Sequence, residues 1–400
     1  MVAPAKLCLI CKGSRHLCGL KFCPLLAKIN VAPKIKKKVT KEFFGPSPSI
    51  FVGRIGYPDV NIGPLGVIDN VDIADEPKKW FGMGYSKIIE MRSLVLRSKR
   101  RENVTSRSKF IETMQEIVMS TTPVDVELKF KKKPVYVVSF SDTTQPMGPV
   151  APIKRLKLAG NPKIPLIVEK VAGDEIAASK ACAYLYSKNV DVYKIATIFS
   201  SGALGLKENK KLVPTRYSIT AIDDIIAKEL LKRVRMYRQI DKYMVYESEY
   251  LSNHFVILLI PGHWEFENFE AWAPGSFWSQ NLKSTEILVE YEPFKGRSKY
   301  AELEGGGYYA SRLGVVEALH RMRRQARVVV FREVYEGYMI PLGVWVVRET
   351  VRNAFKNKPM VFETQEEALK YIGKRNRIPL TEYIKRSRIL KQKRIEWFIH

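Results

Sequence analysis

Four of the five cysteines crowd one end of the chain, with Cys8, Cys11, Cys18 and Cys23 falling within 16 residues. Cys8 and Cys11 form a Cys-x2-Cys knuckle, and Cys18 and Cys23 follow as a more widely spaced pair. Four thiolates close a tetrahedral shell around Zn2+, and a segment too short for its own core draws folding energy from the metal. The same residues suit an iron–sulfur cluster or a redox-active Cys-x2-Cys pair, and His16 can replace one thiolate. In a reducing compartment such crowding favours metal over a disulfide.

The opposite end carries a recognition pattern. Ile395, Phe398 and Ile399 stand at i, i+3 and i+4, so one helical turn gathers them into an apolar plug. Gln392, one turn earlier, is spaced to hydrogen-bond at the rim of a receiving pocket, the logic of a helix-in-groove element. The pattern looks like the motif by which repair proteins dock on ring-shaped sliding clamps: Gln, two residues, an aliphatic, two residues, then two bulky apolar residues. Here the second bulky position is Ile399, and the aromatic Trp397 precedes Phe398. Lys391, Lys393 and Arg394 add steering toward an acidic surface. The same spacing also serves an amphipathic terminal helix folded back on its own core.

Between the ends lie two glycine-rich turns suited to phosphate. Gly305, Gly306 and Gly307 precede an expected helix, and Ser201 and Gly202 sit in a turn after an expected strand. Unpaired backbone N–H groups and a helix dipole favour an anion at such points. Arg54, Arg216 and Arg312 lie near these turns and suit bidentate phosphate contacts. Ordinary tight turns and surface salt bridges account for the same residues, and neither turn matches the P-loop or the dinucleotide fingerprint. Acid–base candidates are His254, His263, Asp223 and Asp224, without a metal-ligand spacing such as His-Glu-x2-His; a helix cap and hydrogen-bonded histidines explain them equally. Trp264, Trp272, Phe277 and Trp278 suit stacking on unpaired bases or filling a core.

The balance of 67 Lys+Arg against 41 Asp+Glu, a formal charge of +26, predicts attraction to a polyanion, with nucleic acid the expected partner. An apolar fraction of 46% with 19 tyrosines indicates a folded chain. No apolar stretch reaches membrane-spanning length, and no apolar run precedes a cleavage site, so the expectation is a cytoplasmic protein without a membrane partner.

These groups require elements to hold them. The expected organisation is a four-cysteine module over residues 1–33, an α+β body over 34–378 with a candidate division near 150–165, and a basic helix with the docking tail over 379–400. Lys34 to Lys41 reads as a basic connector. Turn formers between Phe44 and Gly66 limit that stretch to loop or short strands. Helices are expected at Tyr85–Arg97, Arg101–Ser120, Asp174–Asn189, Ile222–Ile240 and Tyr309–Gln325, from Thr364 to about Tyr371 behind a capping box, and at Thr381–Phe398. Strands are expected at Val135–Phe140, Leu166–Val171, Val192–Phe199, Tyr243–Glu247, His254–Ile260, Glu286–Tyr291, Arg327–Val334 and Leu342–Val347. Strands and helices mix without a regular βαβ beat, which favours α+β, with a mixed sheet in the body, over a doubly wound sheet.

Several strings resemble the archaeal NreA/NreB family of DNA repair proteins. They are Phe51-Val-Gly-Arg54 with Gly56-Tyr-Pro58 and Gly63-Pro-Leu65; Ser200 to Gly205 running through Glu208-Asn209 and Lys211 to Arg216 to Asp223-Asp224; Gly306 to Ala310 with Arg312; Arg324-Gln-Ala326 with Arg332-Glu333; and Pro341 to Trp345 with Arg348-Glu349. The likeness spans nearly the whole chain. It implies a role in DNA-damage repair, a zinc finger on Cys8, Cys11, Cys18 and Cys23, and a clamp-interacting motif on Gln392, Ile395, Phe398 and Ile399. It implies no catalytic mechanism. The leading expectation is a Zn2+-containing repair factor that binds DNA and is recruited to a sliding clamp of the PCNA type. The alternative is a phosphoesterase or nuclease acting on nucleotides or DNA ends through the glycine turns, Arg216, and Asp223 or His263. A third reading is an adaptor that touches DNA little.

Overall fold

The computed structural model describes residues 10–11, 15–16, 23–69, 73–137, 146–273, 286–338 and 340–391. Its contacts divide the chain into one unit built from Cys23–Phe140 and Gln145–Ile226, and another whose main part is Ala227–His400. Each contains a six-stranded mixed sheet, as an α+β chain requires.

The first unit comprises α1 (Pro24–Lys38), β1 (Glu42–Ser47), β2 (Ser49–Val52), β3 (Asp59–Val67), α2 (Pro77–Trp80), α3 (Tyr85–Ser93), β4 (Val95–Asn103), α4 (Lys109–Met119), β5 (Val124–Phe130), β6 (Val150–Leu158), α5 (Leu166–Gly173), α6 (Ala178–Ser187), α7 (Val192–Ser200) and the start of α8 (Thr215–Val234). Its strand order is β1-β5-β6-β4-β3-β2, with β4 and β6 parallel. In β5, Val124, Val126, Leu128 and Phe130 are buried while Asp125, Glu127 and Lys129 are exposed. That period of two gives β5 one dry and one wet face, whereas β2 and β3 expose no residue on either side. The glycine- and proline-rich stretch forms β1 to β3, of which β3 runs nine residues and so exceeds the short strands expected.

Several expected elements change type. The basic connector after residue 33 is helical to Lys38, continuous with α1. Arg101 begins no helix: Val95–Asn103 is a strand, and the helix starts at Lys109. Of the expected strand at Val135–Phe140, Val135 makes an isolated bridge to Val150, and residues 138–140 lie outside the described residues. Leu166–Val171 and Val192–Phe199 look like strands because they are apolar and β-branched, yet both are helical. In α5 the buried residues are Val168 and Val171, three apart, while Leu166 is 82% exposed. In α7 the Asp191 carboxylate caps the first turn by accepting from Tyr193 N–H at 2.9 Å, a signal the periodicity alone hides.

The second unit contains the end of α8, β7 (Tyr243–Tyr250), β8 (Asn253–Ile260), β9 (Glu265–Trp272), β10 (Glu286–Glu292), α9 (Gly306–Met322), β11 (Arg327–Val334), α10 (Trp345–Ala354), β12 (Met360–Phe362), α11 (Gln365–Arg375) and α12 (Leu380–Ile384). Strand order is β10-β9-β11-β8-β7-β12, with β9 and β11 parallel. Both faces are covered. Phe255, Ile257, Val328 and Val330 pack against α9 and α10 residues such as Val315, Val316, Val347 and Val351. Val256, Leu258, Val329 and Phe331 pack against Ala368, Ile372 and Tyr383 of α11 and α12. The capping box forms as expected, Thr364 Oγ1 accepting from Glu367 N–H and Glu367 accepting from Thr364 N–H.

Two further readings are corrected in this unit. Leu342–Val347 is not a strand: Gly343, at φ +110, turns the chain into α10. The expected helix from Thr381 ends at Ile384: Ser387 N–H still reaches Tyr383 O at 2.9 Å, but the N–H groups of Arg388 and Leu390 turn to side-chain acceptors. Ser387 Oγ donates to the buried Glu267 carboxylate, which also accepts from Arg388 N–H at 2.7 Å, and Leu390 N–H donates back to Ser387 Oγ at 2.9 Å. Residues 392–398 of that expected helix lie outside the described residues.

Candidate nucleic-acid interface

The wet face of β5 and its neighbouring strands gathers cations by strand register. Lys129 on β5 stands opposite Arg155 on β6, and Glu127 opposite Lys157. The register slips after Lys129, which leaves Lys154 as an extra exposed residue. On β4, Lys99 pairs with Pro152 and Arg101 with Asn61. β1 places Glu42 and the exposed Phe44 opposite Lys129 and Glu127, and Glu42 forms an ion pair with Lys129 at 2.8 Å. Lys99, Arg101, Lys129, Lys154, Arg155 and Lys157 therefore share a region with fewer carboxylates, Glu42, Asp59, Asp125 and Glu127. Such an excess concentrates phosphate around it in a salt-sensitive manner.

The phosphate candidates divide between the two units. Arg54 is exposed on the β2–β3 turn, and Arg216 is exposed in the first turn of α8. Their neighbours are joined, since Val52 N–H donates to Thr215 Oγ1 at 3.0 Å. Ser201 and Gly202 are buried after a helix rather than a strand, so the chain enters their turn from a carbonyl-bearing end. Ser201 Oγ donates to Ile198 O at 2.7 Å, and a Cβ on Gly202 would meet the Lys211 backbone at 2.8 Å. Gly306 and Gly307 open α9. A Cβ on Gly307 would lie 3.3 Å from Glu270 Oε2, so this glycine makes room for a carboxylate. Arg312, 1% exposed, is held by Glu292 through contacts of 2.9 and 3.0 Å.

The acid–base candidates divide between the units. Asp223 is buried on α8 in the first. In the second, His254 is buried between Glu247 at 2.9 Å and the Tyr335 hydroxyl at 3.1 Å, while His263 is exposed beside Gln239. Trp264 fills the core, and Phe277 and Trp278 lie outside the described residues. Of the cysteines, Cys11 is buried and Cys23 half-buried just before α1, whereas Cys8 and Cys18 lie outside the described residues. So do Gln392, Ile395, Phe398 and Ile399.

Sequence reasoning missed a buried charged cluster at the carboxyl ends of the parallel pair β9 and β11. Its signal was Arg332-Glu333 interrupting an otherwise apolar strand. Arg332 donates to Asn253 Oδ1 at 2.6 and 3.1 Å and pairs with Glu270. Asn268 accepts from Ser311 Oγ at 2.7 Å and donates to Glu304. A separate node lies at the amino end of β9, where Glu292, opposite Phe266, accepts from the Tyr308 hydroxyl at 2.9 Å and Trp264 Nε1 at 3.2 Å. Burial, and then the adjacent Glu270 carboxylate, push the Glu304 carboxyl well above the usual range, which favours its neutral form. Buried charge is costly unless paired, and this network pairs nearly all of its own.

A second buried carboxylate anchors the last described residues. Glu267 holds Ser387 and Arg388, and Ile389 and Leu390 are buried behind them. A polar cleft of about 250 Å³ lies alongside, lined by Glu290, Tyr291, Arg297, Arg386 and Arg388 among others. Among the described residues no helix is long and apolar enough to cross a membrane.

With two mixed sheets, a basic open face and a paired internal network in place, the chain belongs to the archaeal Nre family. The family's N-terminal region matches residues 17–279 and its C-terminal region residues 292–398. Both regions contribute to the second sheet, the first supplying β7 to β9 and the second β11 and β12. The chain is 42% identical over 372 residues to DNA repair protein NreA of Archaeoglobus fulgidus, covering 92% of this chain and 93% of that one. It is 38% identical over 391 residues to DNA repair protein NreB of the same organism, covering 97% of each. Against DNA repair protein NreA of Haloferax volcanii it is 38% identical over 339 residues, 82% of this chain and 81% of that one. No solved structure matches.

Proposed function

We propose that this protein is a DNA-damage repair factor that binds DNA on the open face of its first sheet and is recruited to a PCNA-type sliding clamp by its last residues. The observation that carries the DNA reading is the register-built excess of cations around Lys99, Arg101, Arg155 and Lys157. The names of the Nre relatives support the repair role. For the clamp, the spacing of Gln392, Ile395, Phe398 and Ile399 supports the reading. Cys8, Cys11, Cys18 and Cys23 form a donor set that fits Zn2+, which would fold the N-terminal segment and supply no chemistry to a substrate.

Titration of DNA into the full-length protein at several salt concentrations tests this reading. Binding dominated by phosphate weakens steeply, with a log–log slope of about −0.9 per phosphate neutralised. An affinity that stays flat from low to moderate salt refutes it.

A further inference from the structure

We infer that the β2–β3 turn is an apolar wedge that enters a weakened base step, so that the preferred ligand is duplex DNA interrupted by a mismatch or a single-strand junction. The inference rests on the DNA-binding reading above. Ile55 is 81% exposed and Tyr57 57% exposed, both at the tip of a turn where the chain gains nothing from showing them to water.

The tip is held at several points. Gly53 N–H donates to Asn61 O at 2.7 Å, Asp59 N–H donates to Gly56 O at 2.9 Å, and Val104 N–H donates to Pro58 O at 2.9 Å. Gly56 takes φ +85, and a Cβ there would meet Asp59 O at 3.0 Å and Arg101 Nη2 at 3.1 Å, so the turn closes directly against the Arg101 guanidinium. A side chain presented on such a fixed turn loses little conformational freedom on insertion.

The charges complete the match. Arg54 and Arg101 are exposed beside the apolar tip, and Arg101 is also a cation of the basic β4 strand. The nearest carboxylate in the turn, Asp59, accepts from Asn103 Nδ2 at 3.0 Å. An apolar point with cations at its base complements a base stack bordered by phosphates, the chemistry of side chains that pry open a DNA step. Unstacking is least unfavourable where pairing is already broken, and selectivity for interrupted duplex follows.

The test uses full-length protein with an intact duplex and with the same duplex carrying 2-aminopurine beside a mismatch. The expected result is roughly tenfold tighter binding to the mismatched duplex and a rise in 2-aminopurine fluorescence on binding. In the Ile55→Ser/Tyr57→Ser variant, the affinity ratio falls toward 1 and the fluorescence rise disappears. Both side chains are exposed, so an unchanged thermal melt certifies the variant's fold. If the wild type binds both duplexes with a steep salt dependence but without preference or fluorescence change, the wedge is refuted and the DNA reading stands. The same holds if the variant keeps both signals, whereas salt-insensitive or absent binding to either duplex overturns both.

Discussion

Replacing Glu333 by Gln should unsettle the second unit more than any change of similar size on its surface. The carboxylate is fully buried. Its Oε2 accepts from the Tyr335 hydroxyl at 2.7 Å and Arg377 N–H at 2.8 Å, and its Oε1 accepts from the Tyr383 hydroxyl at 2.9 Å and Ile378 N–H at 3.1 Å. Burial and Glu333 itself raise both phenols far above their ordinary range, so they remain donors. In the amide, one oxygen becomes NH2. Whichever way it sits, it faces a backbone N–H that cannot reverse. One buried donor is then orphaned at about 1–3 kcal/mol, and the surviving bonds lose their charged acceptor, for a total of roughly 3 kcal/mol. In a unit of this size that lowers the melting temperature by about 6–12 °C. Calorimetry reads the shift, and hydrogen exchange at Arg377 and Ile378 locates it. A melt within about 2 °C of wild type would show that the four-donor node does not hold this region.

Glu304→Gln should change pH dependence rather than shape. The folded state keeps a proton that the unfolded chain releases above the ordinary carboxyl range, so wild-type stability declines as pH rises through that window, by up to about 1.4 kcal/mol per pH unit. The variant should melt progressively higher than wild type as pH rises above the ordinary carboxyl range, and parallel curves would contradict the raised titration of Glu304. Removing Gln392 to His400 should abolish clamp binding measured by calorimetry and leave the melt unchanged, since the deletion keeps the anchorage of Ser387, Arg388 and Leu390; undiminished affinity would refute the docking motif. Metal analysis of purified protein should find about one zinc per chain. A ratio near zero removes the zinc assignment.

How much of this was legible depended on what each residue had to signal. Arg327–Val334 matches its expected strand because an apolar, β-branched run bounded by polar residues fits no other element so well. The strand Glu265–Trp272 went unread because its aromatics and carboxylates break the apolar pattern, and those carboxylates are buried only by partners distant in sequence, such as Ser387 and Arg332. Leu166–Gly173 and Val192–Ser200 were misread because β-branched content outweighed a three-residue spacing and an Asp cap. At the interface, net charge predicted a polyanion but not its place. That place depends on the pairing of β4, β5 and β6, which no local pattern encodes. Arg312 was legible as important and not as a buried partner of Glu292, for the same reason.

The most direct test of the DNA reading reverses charge on the sheet itself. Arg155→Glu/Lys157→Glu should weaken DNA binding by tenfold or more at moderate salt and make the log–log salt slope shallower by about 1.8, the contribution of two phosphate contacts. A control reversal at the exposed Lys232 and Lys370 of the second unit should move neither quantity appreciably. If the sheet variant binds DNA with wild-type affinity and slope while the control does not, the interface lies elsewhere and the account fails.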